Sequence, residues 1–353
     1  MVKLKYTLIL LLVTACLAAC EEEKFDTSTM FTGPSTIGDA ELLDSLARFE
    51  NDYGIMVAYN FKASDYSPVG TGRVLAYTPV TSKSSVLDVM HYIEENVFSF
   101  FPAGFVKQYM PSAVLLVDSL KVTYSHEDEI NNEIWEKDYT ITGNITSKYL
   151  VLGNVGTRFD PEAENLQEEL LSLFIEYLCA NNKLPPIPAE FQKASEKAAT
   201  SVGAVIYSAT SSLPNTNYPY WDGGSGFTSW GGIGGDVPDA TPWLGRGILK
   251  IGRIGRTGYE RRVILGMDIA MYEFHKGTVE QDFADFAAFI LSKTPTERET
   301  FYAEIEADTS VYTYDGVGDP RFPYAGPAGA EAMRVKDGMV KSYIRDNFGI
   351  AVE

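Results

Sequence analysis

Histidine and cysteine are scarce in this chain, three of each in 353 residues. The histidines, His91, His126 and His275, are scattered, and no two have the spacing that sets a pair of imidazoles on one helical face. That argues against a site built on several histidines. Of the cysteines, Cys16 belongs to the N-terminal leader, Cys20 directly follows it, and only Cys179 lies in the body. No internal disulfide framework is available, so stability must come from a hydrophobic core. Positive charge is also in deficit: 29 Lys and Arg stand against 48 Asp and Glu, a formal net charge of −19. Such a surface repels nucleic acid and anionic membrane faces. There is no G-x-G-x-x-G pattern, no Walker pattern and no internal repeat.

The leader is legible in detail. Lys3 and Lys5 precede an apolar run from Leu8 to Val13, then Leu17-Ala18-Ala19-Cys20. This predicts an export signal over residues 1–19, too short to span a membrane. Small residues before a cysteine form a lipobox, which makes Cys20 the lipidated first residue of the mature chain. A plain signal peptide cut near Ala19 is the alternative. Glu21-Glu22-Glu23 resemble the surface-export signal of Bacteroidetes lipoproteins. Residues 20–36 are polar, small and Pro/Gly-containing, and read as a lipidated tether. The expectation is a lipid anchor in the outer membrane, at the cell surface.

Helices and strands alternate through the first half of the body. Glu41 to Tyr53 sets Leu42, Leu43, Leu46 and Phe49 at helical spacing, and Ile55 to Tyr59 reads as a strand. Ser84 or Ser85 can cap a helix with Val86, Val89, Met90, Ile93 and Val97 on one face. Ala113 to Val117 and Tyr149 to Leu152 are short apolar strands, and Tyr139 to Thr142 alternates like another. Further on the signals are helical. Asp160-Pro161, an N-cap residue before proline, predicts a helix to about Asn182. Val279 to Leu291 carries Phe283, Phe286, Ala287 and Ile290 along one face. Thr294-Pro295 repeats the cap-then-proline signature for a helix to about Ile305, and Met333 to Phe348 is helical too.

The helix after Asp160 raises the functional question. In LSLFIEYLCA, Glu176 stands where H-E-x-x-H has its glutamate, with Ile175 and Cys179 at the histidine positions. That motif works because two histidines on one helical face hold zinc while the glutamate activates the metal-bound water. Isoleucine has no donor atom, and one thiolate does not make a site. Taken alone, the window also fits the edge of an ordinary buried helix, with Cys179 a small buried apolar residue.

Other segments give this helix a context. Phe49 to Tyr59 (FENDYGIMVAY) is one, and Phe105 to Pro111 (FVKQYMP) with the strand AVLLV is a second. Glu190-Phe191 after a proline, Glu280-Gln281-Asp282-Phe283-Ala284-Asp285, and Met339 to Ile344 with Asn347 to Ile350 complete the series. In order and spacing they resemble the zinc-binding metallopeptidase lipoproteins of Bacteroidetes. These are substrate import-associated zinc metallohydrolases encoded beside outer-membrane import systems. The resemblance covers nearly all of the mature chain. It implies one domain over 37–353 of class α+β, with a mixed α/β part at about 37–158 and a zincin-like helical part at about 159–353. It also implies that Ile175 and Cys179 replace two ligand histidines and that Glu176 keeps a vestigial general-base position. The family's third ligand maps to Asn182, one turn on, or to Gln281, which stands where the family's E-D-F-A-E segment has its first acid. No metal is expected here, although the family binds zinc.

The expected role is an accessory or substrate-binding surface lipoprotein of a nutrient-import locus, metallopeptidase-like but inactive. Import-system components and a peptide or glycan are its expected partners. Two enzyme readings stay open: a zinc peptidase with non-standard ligands, and a hydrolase using Cys179 or a carboxylate pair. The missing histidines speak against the first, and the lack of a visible base against the second. Glu176 is expected at the floor or wall of a cleft, with Ile175 and Cys179 lining it. One further stretch, residues 216–238 within a long loop from Pro214 to Trp243, carries Tyr218, Tyr220, Trp221 and Trp230 among glycines. Those rings could stack on sugars or clasp a peptide; anchoring the loop to the body is the plainer reading.

Overall fold

The computed structural model describes residues 40–59, 61, 74–102, 104–128, 133–146, 149–156, 159–163, 165–201, 247–249, 257–264, 267–274, 279–308, 311–314, 317–323 and 326–353. The leader, Cys20, the tether, His275 and the aromatic loop lie outside them. Asp39–Tyr59 with Pro68–Glu353 form one compact unit. The fold is α+β.

Helix α1 (Ala40–Arg48) runs into a π-helical turn, Phe49–Tyr53, which Gly54 closes in the left-handed region at φ 69°. Leu42 and Phe49 face inward, but Leu43 is 60% exposed and takes no part in the core. Strand β1 (Met56–Ala58) follows, then β2 (Val74–Pro79) and α2 (Lys83–Asn96). The cap of α2 is Ser82, not Ser84 or Ser85: its Oγ accepts from the Ser85 amide at 3.3 Å. Val86, Val89, Met90, Ile93 and Val97 are all buried. The Arg48 guanidinium forks onto Glu94 at 3.0 and 2.8 Å, and the Tyr53 hydroxyl donates to the same carboxylate at 2.8 Å. These contacts pin α1 to α2.

After the short α3 (Phe105–Tyr109), strand β3 (Ala113–Asp128) organises the sheet, joined by β4 (Glu133–Ile141), β5 (Gly143–Ile145) and β6 (Tyr149–Leu152). The first turns of β3 lie between β1 and β6, parallel to both, with Ala113 opposite Met56 and Tyr149. Strands buried on both faces read as unbroken apolar runs, as MVA, AVLLV and YLVL do. The far part of β3 leaves this core and runs antiparallel between β2 and β4. β5 closes the β6 edge antiparallel.

The second half begins differently from its sequence signature. Asp160-Pro161 forms a turn, not a helix start: Asp160 Oδ1 accepts from the Glu162 amide at 3.1 Å, and its carbonyl accepts from Ala163 at 3.1 Å. A local side-chain bond of this kind competes with a helix. Helix α4 starts five residues later and spans Leu166–Ala180. Leu173 seats it against the sheet, where a Cβ on Gly143 would come within 2.7 Å of Leu173 Cδ1. A further helix, α5 (Ala189–Ser201), follows.

The C-terminal part is not purely helical. It carries two hairpins, β7 (Thr257–Ile264) with β8 (Met267–Phe274) and, beyond the next two helices, a β9–β10 pair. Helices α6 (Val279–Ser292) and α7 (Pro295–Ala307) precede β9 (Val311–Tyr314) and β10 (Val317–Pro323), and α8 (Pro327–Phe348) ends the fold. α7 has the capping box its Thr294-Pro295 start promises, with Glu297 reciprocating. Phe348 at the end of α8 packs on Phe101 and Phe105, centroids 5.9 and 5.4 Å away. One hydrophobic core thus runs from the sheet through the helical layer.

Candidate functional site

α4 supplies the site. Glu168 and Glu169 in its first turn suit the positive end of the helix dipole. Its other end is a Schellman-type stop. Asn182 takes the left-handed conformation at φ 52°, its amide bonds to the Cys179 carbonyl at 3.1 Å, and the Lys183 amide reaches the Leu178 carbonyl at 2.9 Å. Asn182 is therefore outside the helix and exposed. It does not continue the face of Ile175 and Cys179, so the one-turn-on position for a third ligand is a chain reversal.

α4 and α6 lie antiparallel, as their side-chain pairs show in sequence. Glu168 pairs with Lys293 at 2.8 Å. One turn on, Ser172 donates a short hydrogen bond to Asp285, both fully buried. At the far end Cys179 lies in the field of Glu280, with Glu176 beside it. Ile175 falls on this face and is wholly buried. It is sealed in the core. Glu176 and Cys179 are half-buried, as is Gln281 on the facing helix.

The electrostatics keep the thiol protonated. Burial, then the carboxylates of Glu280 and Glu176, push Cys179 up to about 12. Tyr343 of α8 closes the same corner. Its hydroxyl donates to the Pro185 carbonyl, its ring meets Phe283 edge-on at 4.9 Å, and burial followed by the nearby thiol raises its pKa. The turn after α4 is thereby tied to α8.

Of the positions set against the family's ligands, Ile175 carries no donor atom and no exposure, Cys179 a thiol beside Glu280 and Glu176, and Gln281 a neutral amide. Among the described residues no group of three or more His, Cys, Asp or Glu could hold a metal ion. A small apolar cavity exists elsewhere, lined by Phe49, Val57, Met90, Ile93, Phe98, Val114, Leu116 and Phe174. At about 100° per residue, Glu176 points roughly 200° around α4 from Phe174. That cavity is packing space between helix and sheet.

Two buried charge clusters escaped the sequence reading. Lys336 of α8 meets Asp282 of α6, and Arg298 of α7 meets Asp337 of α8. The available signal was charge on an apolar helix face: Asp282 and Asp285 interrupt a run of Phe and Ala that packs inward.

The chain is similar to a candidate zinc-binding metallo-peptidase from Bacteroides caccae ATCC 43185. The two share 13% sequence identity with a TM-score of 0.44 over 90% of each chain. So loose a likeness leaves function to the residues of the site itself. No family model matches the chain, and no curated protein does.

Proposed function

We propose that this chain is a lipid-anchored outer-membrane surface protein of a nutrient-import locus. Its metallopeptidase-like body works without catalysis, as an accessory or substrate-binding protein. What supports the reading is the pair at the H-E-x-x-H histidine positions: Ile175 wholly buried, and Cys179 with a thiol that burial, Glu280 and Glu176 push up. In the H-E-x-x-H arrangement the glutamate activates a water that the metal polarises. Without that partner Glu176 keeps the position of a general base and not its work. The lipobox ending at Cys20 and the acidic residues after it support the anchor and the surface location.

Two experiments test this. Purified mature protein, incubated with mixed peptides and with glycans, is expected to give no turnover, and Glu176→Gln to leave any ligand binding nearly intact. Turnover that disappears in Glu176→Gln would overturn inactivity and favour a zinc peptidase with non-standard ligands. Protease added to intact cells should remove the protein, and Cys20→Ala should release it from the membrane. Digestion only after lysis would refute surface exposure, and a membrane-bound Cys20→Ala variant would refute the anchor.

A further inference from the structure

Lys336 sits mid-way along α8 with no exposure. Its ammonium lies 2.5 Å from Asp282 of α6, itself 2% exposed. It also donates to the backbone carbonyl of Gly247 at 2.9 Å. The ring of Phe191 from α5 lies 4.5 Å away and that of Phe286 from α6 at 5.2 Å, so two aromatic faces meet the charge. One buried cation therefore joins α8 to α6, α5 and residues 247–249. Burial lowers its pKa, and Asp282 opposes that shift.

Apolar groups of similar volume could stabilise this position as well or better, because desolvating two charges offsets most of their attraction. What they cannot do is aim a donor at one carbonyl. The segment that receives the donor fits closely. Gly247 has φ +68°, and a Cβ there would stand 2.5 Å from Ala332 Cβ and 3.2 Å from the Gly329 carbonyl. Ile248 and Leu249 are buried beside it. The backbone approaches the small-residue face of α8 too closely for any side chain, and the ammonium marks which carbonyl docks.

We propose that Lys336 is a buried latch that sets the seating of Gly247–Leu249 on α8, a positioning residue and not a source of net stability. Asp282 anchors the latch in the first turn of α6, directly after Glu280 and Gln281. The same contact thus ties the segment to the part of α6 that faces Cys179.

The test uses the full chain with K336M/D282L, and K336M/D282N as a control closer in shape. K336M alone leaves a buried carboxylate without its cation and is expected to be strongly destabilised. Urea unfolding reports global stability, and hydrogen exchange read by mass spectrometry reports the Ile248 and Leu249 amides. In at least one double variant, stability is expected to match or exceed that of the unsubstituted chain, while these two amides exchange about tenfold faster or more, the scale of one charge-assisted hydrogen bond. Amides at 286–290 should be unchanged. Unaltered protection at 248 and 249 in a folded double variant would overturn the latch. So would loss of the fold in both double variants, since the pair would then be supplying net stability.

Discussion

Cys179 offers a quantitative probe of what chemistry survives at the α4–α6 face. Burial is the largest influence on its thiol, Glu280 the next and Glu176 the third, and together they push it up to about 12 from an ordinary value near 9. At about pH 8 that leaves roughly one thiolate in 10⁴, about a thousandfold below an unperturbed thiol. Alkylation by iodoacetamide reads this directly in a chain with Cys16 and Cys20 replaced by serine. Steric shielding would also slow the reaction, but the two causes have different pH profiles. Shielding alone gives a rate that flattens near the ordinary thiol value. A raised pKa gives a logarithmic rate that climbs with unit slope from about pH 7 to 10 without a plateau. Glu280→Gln removes the second cause and leaves burial, so its profile should move to lower pH while staying above that of a free thiol. A plateau near about pH 9, or a rate at about pH 8 within tenfold of glutathione, would refute the reasoning.

Other consequences follow from the same contacts. The Arg298 guanidinium is 4% exposed, pairs with Asp337 at 3.0 Å, and donates to the carbonyls of Ile290, Lys293 and Glu353. Asp337 keeps Lys341 and the Tyr302 hydroxyl, so Arg298→Met should cost about 2–3 kcal/mol by urea unfolding, and a loss under about 1 kcal/mol would contradict the hub. Thr294→Ala removes the α7 capping box and should cost about 1 kcal/mol, with no measurable change counting against it. Burial raises Cys179, Tyr302 and Tyr343 alike. Protons held more tightly in the folded state support the fold fully below the unfolded values, about 9 for the thiol and about 10 for the phenols. That support is lost as pH climbs toward the folded values, so urea midpoints should fall above about pH 9; equal midpoints at about pH 8 and 11 would contradict this.

Legibility in the sequence tracked how local each signal is. The α7 start was readable because Thr294, Pro295 and Glu297 act within one turn. The helical stripes of α2 and α6 were readable because a 3.6-residue period survives in the chain itself. Asp160-Pro161 misled because the same two residues suit a turn as well as a cap, and Asp160 spends its carboxylate on Glu162. α5 was missed because a proline-rich approach and an Ala, Lys and Glu-rich stretch carry little periodicity; among the side chains described, Phe191, Ser195 and Ala198 form its buried face. At the candidate site, Ile175, Glu176 and Cys179 were singled out by their position along the helix. The partners that set their environment, Glu280 and Tyr343, come from helices about a hundred or more residues away. Asn182 lies past the helix end because its own backbone makes a stop that helical extrapolation ignores.

The central claim is that α4 holds the position of a metal-binding helix without its chemistry. Elemental analysis of the purified mature protein after dialysis tests it most directly, beside a folded Ile175→His/Cys179→His double variant. The account predicts no stoichiometric zinc in the unsubstituted chain and a gain of modest affinity in the double variant, two imidazoles at i and i+4 without a good third ligand. About one zinc per unsubstituted chain, lost on Cys179→Ala, would contradict the account. No gain in the folded double variant would mean that α4 never occupied the position of a metal-binding helix.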